Sequence, residues 1–132
     1  MEVKAVDLLA YLKRKQILQL HEVDSLTQQL AQAVDRRDQV SIKLLLSMRQ
    51  EPISQLQELN DSLHARLESF PEEEAIRMAA LLDGAPAETK QEEALVQQVA
   101  QYRRLLERIT AVDRRISERM GGKKSFYKKC RL

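Results

Sequence analysis

Tryptophan is absent from this 132-residue sequence, aromatics make up 4% of it, and glycine and proline number three each. Few turn formers and few bulky rings argue against a sheet sandwich, whose many short strands need frequent turns. No run of alternating β-branched residues occurs, so no strand is assigned. The single cysteine, Cys130, excludes an internal disulfide framework and a cysteine-built zinc site. It stands third from the end, which is not the position of a prenylation box. No apolar run approaches the ~20 residues needed to span a bilayer. The first residues place an acid at Glu2 and the basic Lys13, Arg14 and Lys15 after a short apolar part, the reverse of a secretion signal. A soluble, cytoplasmic protein is expected.

What is present in quantity is charge, at 32% of residues, together with Leu, Gln, Glu and Arg, the residues of long helices. The formal net charge of +2 is unevenly spread. Five of the 22 Lys and Arg residues (Lys123, Lys124, Lys128, Lys129 and Arg131) lie after Met120, leaving 17 against all 20 Asp and Glu. A mildly acidic helical body is no nucleic-acid footprint. The tail alone has the charge to touch RNA, lipid headgroups or an acidic partner, or it is a solvated terminus.

The clearest pattern runs from Leu95 to Met120. Leu95, Val99, Tyr102, Leu106, Ile109, Asp113, Ile116 and Met120 alternate spacings of four and three, a heptad seam with one polar member. It ends at Gly121-Gly122. A second, looser seam through Leu9, Leu12, Gln16, Leu20, Val23, Thr27, Leu30 and Val34 predicts a first helix from about residue 3 to 34. Leu8, Ile17, Leu18 and Leu26 widen it, as suits a helix touching more than one partner. Lys13, Arg14 and Lys15 read as a solvated face. At Asp35-Arg36-Arg37-Asp38 the periodicity lapses, and an antiparallel reversal with Asp38 capping the next helix is expected.

The next apolar phase passes through Ile42, Leu45, Met48, Pro52, Leu56, Leu59, Leu63, Leu67 and Phe70. Because it resumes in phase beyond Pro52, one bent helix is expected, although an internal proline costs ~3 kcal/mol. Ser69 and Glu72 have capping-box spacing, Pro71 suits a first turn, and the segment PEEEAIRMAALLDG reads as a short helix that closes at Asp83-Gly84. Thr89 and Glu92 repeat the capping box before the last long helix. The expected fold is all-α, an elongated antiparallel helical bundle or coiled coil of three long helices plus one short one. The bundle occupies residues 1–120 and a basic C-terminal tail occupies 121–132.

Little in the chain carries chemistry. There is no phosphate-cradling glycine loop, no nucleophile elbow and no histidine pair four residues apart. His21 and His64 are isolated, and the consecutive Glu72, Glu73 and Glu74 do not face one point on a helix. AVDRRISERM faintly resembles the first-helix pattern of small all-α chorismate mutases, but the accompanying charges cannot be placed on an inward face. No enzyme activity, cofactor or metal is expected. Asp113 has two readings: a buried acid paired with an arginine of a facing helix, fixing register, or a polar recognition point in a groove that a partner helix enters. Phe126 and Tyr127, flanked by lysines, either fold back on the bundle or dock elsewhere. Aromatics among lysines also suit RNA stacking.

With these features in hand, the chain resembles the small helical flagellar export chaperones of the FlgN and FliT type. The resemblance lies in the long first helix, the polar turn at RRD, the segment DQVSIKLLLSMRQEPISQLQEL, and the ending RRLLERITAVDRRISERMGGKKSFYKK. That ending is similar to the family's closing helix with its I-x-x-x-D pattern and terminal GKK-aromatic segment. Pro52 and the short helix PEEEAIRMAALLDG depart from the simplest family pattern. The resemblance implies a cytoplasmic chaperone without ATPase activity that holds the C-terminal helical segments of flagellar hook-associated or filament-cap proteins and delivers them to the type III export gate. On that view Val99, Tyr102, Leu106, Ile109, Asp113, Ile116 and Met120 form the client groove, with Phe126 and Tyr127 as a cover or second contact. The alternative is a structural coiled-coil or oligomerisation subunit, a homo-oligomer whose seams are filled by copies of itself.

Overall fold

A computed structural model describes residues 4–121, which form four α-helices joined by short turns and loops, with no strand among them. Helix α1 spans Ala5–Asp35, α2 Gln39–Ser69, α3 Glu72–Leu82 and α4 Lys90–Arg119. At 1.5 Å rise per residue the three long helices each extend about 45 Å, so the bundle is elongated, as expected.

The reversal after α1 falls where periodicity lapses. Arg37 takes a left-handed φ of 57°. Its N–H donates to the Val34 carbonyl at 3.0 Å, and that of Asp38 to the Ala33 carbonyl at 3.0 Å. This is the paired C-terminal motif that glycine normally serves. Asp38 then caps α2, accepting from the Ser41 N–H at 3.1 Å and the Ser41 hydroxyl at 2.6 Å. Helix α2 runs unbroken through Pro52, which is buried. Pro52 has no N–H to donate to the Met48 carbonyl, so the helix continues there with one backbone hydrogen bond fewer.

The Ser69 capping box does not form. Ser69 is still helical, so its hydroxyl donates back to the Arg66 carbonyl at 2.6 Å, and Pro71 occupies the N-cap of α3 without a side-chain cap. The Glu72–Glu74 carboxylates, in the first turn, complement the positive end of the helix dipole instead. Helix α3 closes on Gly84 at φ +107°, where a Cβ would lie 2.7 Å from Nη1 of Arg103. The Thr89 cap does form: its Oγ1 accepts from the Glu92 N–H at 3.1 Å. The Glu92 carboxylate reaches one residue further back than the standard box, to the Glu88 N–H at 2.9 Å. It also holds Arg77 of α3 at 2.7 and 3.2 Å, and so clamps α3 to the start of α4.

Helix α1 is the hub. It packs along both α2 and α4, whereas no Cα of α2 comes within 8 Å of one in α4. All eight seam residues of α1 are buried, and so are Ile17 and Leu26, which widen the stripe toward two neighbours. Leu18 faces outward. The core divides into three successive layers. Leu9 and Leu12 meet Leu63, Leu81 and Leu95 at one end. In the middle Leu20 meets Leu56, Tyr102 and Ile109. At the other end Leu30 meets Ile42, Leu45 and Ile116. Helix α4 therefore runs parallel to α1 and antiparallel to α2.

On α4 the buried set departs from a strict heptad. Leu105 and Val112 are inside, while Leu106 and Met120 are only half-buried. An undistorted helix drifts about 20° per heptad against a 3.5-residue repeat. Over the length of α4 that brings Leu105 and Val112 inward.

Two outcomes test this packing. Leu20→Ala, at the middle of the hub, should cost about 2–5 kcal/mol in urea denaturation. Leu18→Ala, two residues away and outward, should stay within about 0.5 kcal/mol. The second concerns the α3–α4 clamp. Hydrogen bonds from Arg77, then from the Glu88 backbone, lower the Glu92 pKa from 4.5 to about 2. Its contribution is fully present above the unfolded-state pKa and disappears as pH falls through the folded one. The stability gap between wild type and Glu92→Gln should be constant above about pH 5 and shrink steadily toward pH 2. A gap that ignores pH would remove the carboxylate from that role.

Candidate partner-binding surface

The stripe expected to receive a partner already has one. Val99, Tyr102, Ile109, Asp113 and Ile116 are buried against α1 and α2 of the same chain. Leu106 and Met120 sit half-buried at the margin of the middle and end layers. Phe126 and Tyr127 lie outside the described residues.

Within that stripe Asp113 is salt-bridged to Arg49 of α2. The guanidinium donates from Nη1 to Oδ1 at 3.0 Å and from Nη2 to Oδ2 at 2.8 Å, a two-pronged pairing. The side chains are only 3% and 5% exposed. Arg49 Nε is buried without a partner. Burial holds the Asp113 carboxyl above its usual pKa, and the Arg49 hydrogen bonds and charge offset only part of that rise. Because the α2 and α4 backbones stay apart, Arg49 is the long side chain that crosses the gap. Of the two readings of Asp113, the structure displays the buried acid with an arginine on a facing helix.

The particular arginine was not identified from periodicity, because Met48 took its place in the apolar phase. In the helix Arg49 follows Ile42 by seven residues and precedes Leu56 by seven, so the signal was a charged residue at a core interval. Lys13 was missed in the same way. It lies four residues after Leu9 and seven before Leu20, and its Nζ sits 3.9 Å from the centroid of the Tyr102 ring. Burial, then the neighbouring Arg103 charge, lowers its pKa to about 8. Lys13 thus leaves the solvated face that Lys15 keeps, with Lys15 Nζ 4.9 Å from the centroid of the exposed Tyr11 ring.

The links between α1 and α4 are of a different kind. Asp24 and Arg108 approach to 3.5 Å, and Asp35 and Arg119 to 2.8 Å, both pairs with exposed arginines. Such pairs contribute little individually. The attachment of α4 to α1 is therefore mainly apolar, and its attachment to α2 centres on one buried charge pair.

Two outward features remain. On α2, Val40, Leu44 and Met48 stand four residues apart and are 79%, 59% and 48% exposed, an apolar stripe on the side away from the core. Between α1 and α2 an open groove is lined by residues including Lys15, Leu18, Gln55, Glu58 and Leu59. Among the described residues no cluster of three or more His, Cys, Asp or Glu is placed to hold a metal ion. His21, His64 and Glu72–Glu74 are exposed and dispersed. No helix among them is long and apolar enough to cross a membrane. Compared with known protein families, curated proteins and solved structures, the chain matches none.

The pair gives a direct prediction. Asp113→Ala strands a buried guanidinium and should cost about 3–5 kcal/mol, whereas Arg49→Leu with Asp113→Leu should recover most of the loss. A double-mutant cycle in urea measures the coupling. A single-variant cost no larger than that of a surface change would mean the two charges are hydrated in solution.

Proposed function

We propose that this chain is a helix-binding protein of the flagellar export-chaperone kind, without catalytic chemistry. It holds an amphipathic helix from the C-terminal segment of a hook-associated or filament-cap protein. The observation that carries this reading is the seam between α2 and α4, where side chains alone bridge the gap and a salt bridge lies at its centre. A buried ion pair offsets much of its Coulomb attraction by lost hydration, so two charges returned to water regain what burial took. An apolar contact has no such compensation on opening. The seam is thus a natural line of separation in a bundle otherwise held by hydrocarbon.

The client helix enters along this line. It first meets the half-buried Leu106 and Met120 on α4 and Leu46 on α2. It then takes over contacts that Ile109 and Ile116 make inside the bundle, as helix-in-groove recognition does with anchors spaced three and four residues apart. The resemblance at RRLLERITAVDRRISERM supplies the class of client. The competing reading is a structural subunit that pairs with its own copies, and the exposed Val40–Leu44–Met48 stripe is what favours it.

Hydrogen exchange of the full chain, with and without a synthetic C-terminal helix from a hook-associated protein, separates the two. Saturable one-to-one binding with altered exchange at 105–117 and 45–53 supports the chaperone reading. No binding to hook-associated, filament-cap or filament segments, with a mass that climbs to a defined multiple of the chain, supports the structural subunit.

A further inference from the structure

Val40, Leu44 and Met48 span about 12 Å along α2 at 1.5 Å per residue. They are the longest run of exposed apolar side chains at one-turn spacing among the described residues. Three side chains are a small surface. A stable complex between separate molecules buries about 800 Å² on each partner, so pairing between copies would have to recruit surface well beyond these three side chains. A segment of the same chain needs far less, because tethering gives an effective concentration in the millimolar range.

Such a segment starts nearby. Met120, at the end of α4, packs against the layer that contains Ile42 and Leu45, so the chain leaves the bundle level with the first turns of α2. Gly121, at φ +86°, turns out of the helix with open space around its Cα. Eleven residues follow, with Phe126 and Tyr127 in their middle. Five extended residues from Gly121 to Phe126 reach about 17 Å, enough to pass around the flank of a helix about 10 Å across. Beyond Met48 the outward face of α2 continues with exposed Glu51, and in the sequence Lys128 and Lys129 follow the aromatic pair.

We propose that residues 122–132 dock across the outer face of α2, seating Phe126 and Tyr127 on Val40, Leu44 and Met48. This covers the stripe within one chain and does not depend on the client reading above. The tail then occupies its own bundle rather than serving as a free basic extension.

Cys130, the only cysteine, is a built-in reporter. In the full chain, Met48→Cys places a second thiol on the stripe, and Gln29→Cys places one on the exposed side of α1 as a control. Under mild oxidation, mass spectrometry follows closure of the intramolecular disulfide. The expected result is closure about tenfold or more faster for Met48→Cys than for Gln29→Cys. Adding Phe126→Ala and Tyr127→Ala should abolish that difference. Equal rates at the two positions, or a preference that survives loss of both rings, would overturn the proposal. So would Met48→Cys chains that join each other through position 48, since a second copy would then occupy the stripe.

Discussion

Burying a guanidinium and a carboxylate between helices whose backbones do not touch constrains the bundle in a way hydrocarbon cannot. Leucines tolerate a slide of a turn, because another leucine stands nearby to receive them. Arg49 and Asp113 satisfy each other in the interior, and a slip of either helix strands both charges at several kcal/mol each. The apolar layers supply cohesion, while the pair selects a single alignment of α2 against α4. It stands between Leu45 and Ile53 on one helix and between Ile109 and Ile116 on the other, so the alignment it selects places the middle and end layers in contact.

The placement of α1 explains why such a device is useful. With α2 and α4 each packed on α1, their mutual alignment is not dictated by direct backbone approach. Surface pairs such as Asp35 with Arg119 tie α4 to α1 but are too solvated to fix much. The bundle thus divides its tasks: one helix gathers the apolar faces, and one charge pair orders the two helices that lie on it.

Much of this was legible in the residues. The absence of strand patterning, the three long periodic segments, the reversal at Asp35–Asp38 and the Thr89 cap all follow from local rules that tertiary contacts reinforce. What periodicity could not settle was which residue in a charged turn faces inward. Met48 and Arg49 are adjacent, and hydropathy favours the methionine. Only the acid on a distant helix makes the arginine the interior member. Leu105 replaces Leu106 for a related reason, since the choice turns on whether the helix supercoils, a property of the assembly. Lys13 lies inward because its stem packs and its amine finds an aromatic face. Ser69 shows the converse: cap spacing was present, but the preceding helix ran on and claimed the hydroxyl. The partner surface is the least legible part. The α4 stripe signals affinity for apolar faces, and the same residues serve a partner inside the chain or outside it.

The hub helix is also the first long helix in the chain, and this orders events in time. Helices α1 and α2 are joined by a short turn, so their hairpin closes with little loss of chain entropy as soon as both exist. Helix α4 must find α1 across the whole of α2 and α3, and its charge partner lies 64 residues away. Its docking is the late, non-local step of folding. By reversibility, a late-docking element is also an early one to detach when the native state opens. The topology thus makes the helix at the end of the bundle its natural moving part, whatever ligand or segment exploits that freedom.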